Sequence, residues 1–344
     1  MLLKINPHSS YKDGELYEIE TFSNGAFSLK VKSNDQKCLY LCDSKGNTQE
    51  KCHKAESGIL FPDGCYILQG EPAKNNFSNN EIVFRGVNPK GTLYTKDGCI
   101  IISGFDEYKV FSNGWYVLIF KETKQLFNSN HSLVTQNFID CEVFGDNTYA
   151  LRTNSVLYQN GSWRMFDEKN NFLGEAKDVV SFLGQGLYLV KDEEDTLSLY
   201  NVKKDLLAKC VASYEKLAND CFSLSFENGG VCMYSSTGSR ISAIVDKNAK
   251  FLADGTFIST NGKLITGHYN STGIVIKEFV YRYEIYKNYY LKVMNSTTEL
   301  YNNSGRVESN CFVVSANGEF ILVEKEKSYL LYNQYGKVFE VENA

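Results

Sequence analysis

Apolar and polar residues alternate in short runs along this chain, as in Phe222, Leu224 and Phe226 of "FSLSFE". A period of two is the signature of a half-buried β-strand. Residues 222–256 parse into four such runs, "FSLSFE", "GVCMYSS", "SRISAIVD" and "AKFLADG". Asn-Gly and Asp-Gly dipeptides punctuate the runs and suit tight turns that require positive φ. The spacing of helical faces is hard to find. The best helical candidate is "KDLLAKCVASYEKLAND" (204–220), where Val211, Ala212 and Tyr214 fit a strand almost as well.

Two phrases recur in step. The first is an apolar residue, an aromatic or Cys, three further residues and Gly. Its second position falls at Cys42, Tyr94, Tyr234, Tyr269, Tyr301 and Tyr332. Degenerate copies stand at Phe127, where His131 replaces the Gly, and at Tyr200, where Lys204 does; a further copy falls at Tyr158 or Phe166. The second phrase is an aromatic that opens an apolar run, at Phe27, Tyr66, Tyr116, Tyr149, Tyr188, Phe222, Phe257, Tyr290 and Phe320. Successive spacings are 39, 50, 33, 39, 34, 35, 33 and 30 residues. Self-similar units of about 35 residues with four strands each are the pattern of radial blades.

On these residues the chain resembles β-propeller repeat proteins in general, over nearly its whole length. No Trp-Asp blade ending, paired-Gly kelch pattern or Asp box singles out a subfamily. The expected fold is all-β: one closed propeller domain over 1–344, with blades of four antiparallel strands. Counting anchors predicts nine blades, with eight or seven as alternatives if an irregular unit has been over-divided. They start near 27, 66, 116, 149, 188, 222, 257, 290 and 320. The last unit shows only three strands, and the N-terminal "LYEIETFSNG" (16–25) matches a fourth strand elsewhere. Residues 16–26 are therefore expected to complete the C-terminal blade and close the ring.

Composition adds to this picture at three points. There are 23 Tyr, 22 Phe and 26 Gly against 4 Pro, which fits aromatic strands turned by Gly and Asn. Net charge is −5, which argues against a partner made of phosphate backbone. No apolar run approaches the roughly 18 residues of a membrane helix, and no secretory leader opens the sequence. Neither nucleic acid nor membrane is expected as a partner, and the expected compartment is the cytoplasm, with ten cysteines as thiols.

Candidate chemistry is sparse. Cys38, Cys42, Cys52 and Cys65, with His53, lack the paired short spacings of a structural zinc site. Cys42 takes the phrase's Tyr position, and Cys65 shares a repeat position with Cys221, so both read as small fillers. His131 and His268 also sit at repeat positions, and His8 and His53 point to no triad. "KDEEDT" (191–196) lacks the alternating ligands of a calcium loop. No catalytic residue, metal or cofactor is expected, and an enzyme is the less favoured reading.

Departures from a repeat are where function tends to be grafted. The unit 66–115 is long and holds "GEPAKNNFSNN", which makes Asn76 and Phe77 candidate contact residues. In "EFVYRYEIYKNYY" (278–290) alternate aromatics share a strand face, which adds Tyr281. Trp115 fills a position held elsewhere by Ala26, Thr148, Thr256 and Glu319; a slot so tolerant is expected to be partly exposed. The expected function is a non-enzymatic binding scaffold, monomeric, engaging a protein partner. The rival is a carbohydrate-binding or carbohydrate-processing propeller of glycosidase or lyase type, since Tyr, Trp and Asn suit sugars.

Overall fold

The computed structural model describes the chain apart from residues 1, 12–13, 34–35, 50–54, 71–89, 154–161, 192–195, 218–220, 243, 247–248, 253, 262–263, 275, 277–279, 281, 295–296, 318–319 and 343–344. Every regular element among the described residues is a β-strand. The first sheet is β1 (Leu2–Tyr11), β2 (Gly14–Thr21), β3 (Phe27–Ser33) and β4 (Gln36–Cys42). The second is β5 (Ser57–Leu60), β6 (Tyr66–Gln69), β7 (Gly91–Tyr94) and β8 (Ile100–Phe105). The third is β9 (Glu107–Val110), β10 (Tyr116–Ile119), β11 (Lys124–Phe127) and β12 (Leu133–Gln136). The fourth is β13 (Asp140–Val143), β14 (Tyr149–Arg152), β15 (Trp163–Phe166) and β16 (Phe172–Ala176).

A longer sheet follows: β17 (Val179–Gly184), β18 (Leu187–Lys191), β19 (Leu197–Tyr200), β20 (Leu206–Lys216), β21 (Phe222–Phe226), β22 (Gly230–Tyr234) and β23 (Val245–Asp246). The last three are β24 (Ala249–Phe251), β25 (Phe257–Asn261) and β26 (Leu264–Tyr269); β27 (Arg282–Ile285), β28 (Tyr290–Val293), β29 (Thr298–Asn302) and β30 (Gly305–Ser309); and β31 (Phe312–Asn317), β32 (Phe320–Lys325), β33 (Ser328–Asn333) and β34 (Gly336–Glu342). Each sheet is an antiparallel meander in chain order. These four-stranded meanders are the blades of a β-propeller.

The two recurring phrases have one physical basis: they face each other across the middle strands of a sheet. Tyr66 pairs with Tyr94, Tyr116 with Phe127, Tyr149 with Phe166 and Tyr188 with Tyr200. Phe222 pairs with Tyr234, Phe257 with Tyr269 and Tyr290 with Tyr301. All seven pairs stack, with centroids 5.0–5.9 Å apart and planes within 20°. Directly opposed aromatics contribute roughly 0.2–1 kcal/mol each beyond Ala pairs. The two anchors keep step because neither can move without its partner.

Blade count and closure differ from expectation. Seven discrete blade-sized sheets form among the described residues, six of four strands and one of three, rather than nine. The eighth sheet has seven strands, because β20 runs through a boundary that the anchor count implies. Val211 on β20 pairs with Leu197 on one side and Phe226 on the other, so no loop separates the two halves. The helical candidate at 204–220 is this strand over its central part.

The N-terminal strand does not complete the last blade. β2, which carries "LYEIET", pairs with β1 and with β3, where Thr21 faces Phe27. The last sheet takes its first strand, β31, from Phe312–Asn317. The reason is the turn before each anchor aromatic. Phe22 N–H donates to Ala26 O, and Gly25 N–H to Phe22 O, each at 3.0 Å, with Gly25 at φ +86°. The same bonds close Phe61–Cys65, Phe111–Trp115, Phe144–Thr148 and Leu252–Thr256. A hairpin this short joins neighbours within one sheet and cannot cross to another. Each later sheet therefore begins one strand before its first anchor, not at it, and the first sheet begins two strands before Phe27.

Two compact units result, Met1–Asn137 with Val313–Ala344, and Phe138–Phe312. In the first unit, one core cluster joins Leu16, Ile19, Phe27 and Leu29 to Phe320, Leu322, Tyr329 and Leu331. A second joins Ile59, Phe61, Ile67 and Phe105 to Tyr116, Leu118 and Phe127. The second unit has its own clusters, such as Phe144, Ala150, Met165, Phe182 and Tyr188. In both units apolar faces of different sheets bury one another.

One polar contact in the first unit replaces an aromatic stack. Phe320 faces Asn333 rather than Tyr332. Asn333 is fully buried; its Nδ2 donates to Gly25 O at 3.1 Å and Ser44 O at 2.9 Å, while Oδ1 accepts from Tyr335 N. Asn333→Leu should cost about 3 kcal/mol, because a buried carbonyl and a half-buried one lose their donor. A urea-unfolding midpoint within error of the wild type would contradict this accounting.

Candidate functional site

Asn76, Phe77 and Tyr281 lie outside the described residues. Trp115 is only 4% exposed, so the expectation of a partly exposed slot is overturned. Trp115 closes the Phe111–Trp115 hairpin, and its own N–H donates to Asn113 Oδ1 at 3.1 Å. Ala26, at the same position in the first sheet, is also buried.

Of the cysteine cluster, Cys38, Cys42 and Cys65 are among the described residues. Cys42 is buried with Sγ 3.4 Å from Thr48 Oγ1. Cys52 and His53 lie outside the described residues. Eight of the ten cysteines are thiols. Cys38 is disulfide-bonded, which corrects the expectation that all would be reduced.

Cys65 instead meets His131 and Asp63 in the first unit. Asp63 and Cys65 belong to the hairpin between β5 and β6, with Gly64 between them at φ +89°. Cys65 N–H donates to Asp63 Oδ1 at 3.0 Å, which fixes one carboxylate oxygen and turns Oδ2 outward. His131 belongs to the turn between β11 and β12, held by His131 N–H to Asn128 O and by Asn130 and Ser132 N–H to Asn128 Oδ1. Its φ of 59° is the left-handed region that Gly adopts elsewhere in the repeat. His is among the few side chains that enter it at modest cost.

The imidazole connects the two turns. Nε2–H donates to Asp63 Oδ2 at 2.9 Å, and Tyr116 Oη donates to Nδ1 at 2.9 Å. This tautomer follows from the network, since an ionised carboxylate only accepts. Phe61 meets the imidazole edge-on at 5.1 Å and contacts Tyr116 at the same distance. Burial, then the nearby Cys65 and Asp63, push the Tyr116 phenol well above its ordinary range. Burial, with Asp63 beside it, pushes the Cys65 thiol up to about 11. Near neutral pH Cys65 is thus a thiol, unlike the low-pKa cysteines of nucleophilic catalysis.

Other copies of these turns show what is special here. Asp254, the counterpart of Asp63, accepts directly from Tyr290 Oη at 2.7 Å. At the His131 position, Asn170 accepts from Tyr149 Oη at 2.7 Å. Among the described residues, only at Asp63 does an imidazole enter between the turn carboxylate and the anchor tyrosine. Among the described residues, Asp63, Cys65 and His131 are the one group whose ligand atoms all lie within 4.8 Å of one another. Sequence reasoning read Cys65 as a small filler and His131 as a repeat position and did not single out Asp63; their separation along the chain hid the contact.

The second unit has an open depression of about 330 Å³, lined by Glu175, Ala176, Lys177, Tyr188, Val190, Tyr200 and Lys204. Tyr188 and Tyr200 stack on each other there, 5.9 Å apart. Glu175 is the one carboxylate of its lining among the described residues. No helix among the described residues is long and apolar enough to cross a membrane.

No protein-family model matches the sequence, and no curated protein matches it. Among solved structures, the chain is similar to a eukaryotic initiation factor, at 11% identity, over 98% of this chain and 90% of that one, with a TM-score of 0.46. It is also similar to Hsv2p of Kluyveromyces lactis, at 12% identity, over 69% of this chain and 98% of that one, with a TM-score of 0.34. Neither likeness bears on function.

Proposed function

We propose that the chain is a non-enzymatic binding scaffold, a single propeller domain acting as a monomer, whose outer strands engage a protein partner. The observation that carries this reading is a recurrent exposed apolar position. Two or three residues beyond the turn that follows four of the phrases, the fourth strand opens with large apolar side chains in solvent. In the first unit these are Ile100 and Ile101 on β8 and Leu133 on β12. In the second they are Phe172 and Leu173 on β16 and Leu206 and Leu207 on β20, with Phe172 53% exposed. Adjacent residues of a strand face opposite ways, so both faces of the strand start are apolar. Scattered exposed leucines need no explanation, whereas the same position exposed in sheet after sheet does.

The test is a variant with Phe172→Ser, Leu173→Thr, Leu206→Thr and Leu207→Thr. Exposed sites of this kind shift stability by about 0.5 kcal/mol or less each, so the variant should fold. Co-precipitation from the source cells should recover a stoichiometric protein with wild type and lose it with the variant. Recovery of the same protein by both would rule out these strands as the contact. The insertion bearing Asn76 and Phe77, and Tyr281, are proposed as further contacts. The carbohydrate reading has the Tyr188–Tyr200 depression in its favour; saturable glycan binding abolished by Tyr200→Ala would establish it instead.

A further inference from the structure

We propose that Asp63, Cys65 and His131 form a transition-metal site selective for zinc-like ions, with one position open to water or a partner's side chain. One thiolate, one imidazole and one carboxylate are the borderline donors that Zn²⁺ and Co²⁺ take, and three protein ligands with an open fourth position is a recognised arrangement. Their donor atoms already lie within 4.8 Å of one another, from two separate turns.

Orientation is as telling as proximity. A ligating imidazole is held by a hydrogen bond at its other nitrogen, and a ligating carboxylate by one at its other oxygen. Both are in place: Tyr116 Oη sits at His131 Nδ1, and the Cys65 amide sits at Asp63 Oδ1. Metal entry breaks the Nε2–H to Asp63 bond and moves the imidazole proton to Nδ1, which then donates to Tyr116 Oη. The Cys65 thiol gives its proton to solvent. Asp63 is about half exposed and His131 retains some access, so an ion can reach the group from outside.

A bland alternative is that Asp63 and His131 merely staple two turns. The repeat weighs against it, because its other copies use Gly, Asn or Lys at the His131 position and still close the turn. The same fact provides a clean variant. His131→Gly restores the residue that a φ of 59° favours, so the turn should fold without the ligand.

The experiment is titration of the reduced full chain with Co²⁺ alone, followed by absorbance. Wild type should develop a thiolate-to-cobalt charge-transfer band saturating at one equivalent, and Zn²⁺ should displace it. His131→Gly and Cys65→Ser should each lose the band. Tyr116→Phe, acting through the imidazole only, should keep it with affinity lowered about tenfold. Absence of the band in wild type would overturn the site. So would a band of equal strength in His131→Gly, since the exposed thiols Cys99 and Cys210 would then be the binders.

Discussion

Gly46→Ala should unfold the first unit at much lower urea than wild type, with a loss of about 4 kcal/mol or more. Two independent costs meet at this residue. Its φ is +86°, where an L side chain costs roughly 1–2 kcal/mol. An added Cβ would also stand 2.2 Å from the carbonyl oxygen of Val338 and 3.1 Å from its carbonyl carbon. Those atoms are backbone, on β34, so no rotamer change relieves the overlap. Gly273→Ala separates the two costs. Gly273 has nearly the same φ, +88°, but no described residue within 4 Å of the added atom. Its cost should be the conformational part alone. Equal midpoints for the two variants would show that the close approach at Val338 is not maintained in solution.

Raising the pH should produce a cooperative loss of structure above about 10, with tyrosine ionisation delayed until it occurs. Burial is the first cause of the raised phenols at Tyr108, Tyr116, Tyr289 and Tyr290, all well above the ordinary range. At Tyr149 and Tyr234 burial likewise pushes the value up to about 12. The folded chain therefore keeps protons that the unfolded chain releases near 10. Stability from these groups is complete below that value and declines as pH rises from there through the folded values. Tyrosinate absorbance and far-ultraviolet dichroism, followed together, should change in one step. A gradual titration centred near 10 with the β-sheet signal intact would refute the packing of the stacked pairs.

Much of this architecture was legible in the sequence, and the parts that were not have identifiable causes. Alternation and paired aromatic anchors revealed strands, because an aromatic needs an opposite partner at a fixed register. The phase of the blades was hidden, since Asn-Gly marks a hairpin without saying which side of it a sheet begins. The blade count failed at β20, where no turn residue interrupts the strand. Trp115 was misjudged because variety at a position was taken for exposure. His131 was seen only as a turn residue, because its carboxylate partner stands 68 residues earlier and no local spacing signals it.

The continuity of β20 limits how the gene could be rearranged. In most of the fold a sheet ends at a connection outside the ladders, so new chain ends could be opened there and the old ones tethered. Between Leu206 and Lys216 no such seam exists: Val211 belongs to the ladder on both sides. A permuted protein opened at the Asn201–Asp205 turn keeps that strand whole, whereas one opened at Val211 severs two ladders with a single cut. The three strands before β20 and the three after it therefore form one continuous ladder that no single cut outside β20 divides into interchangeable halves.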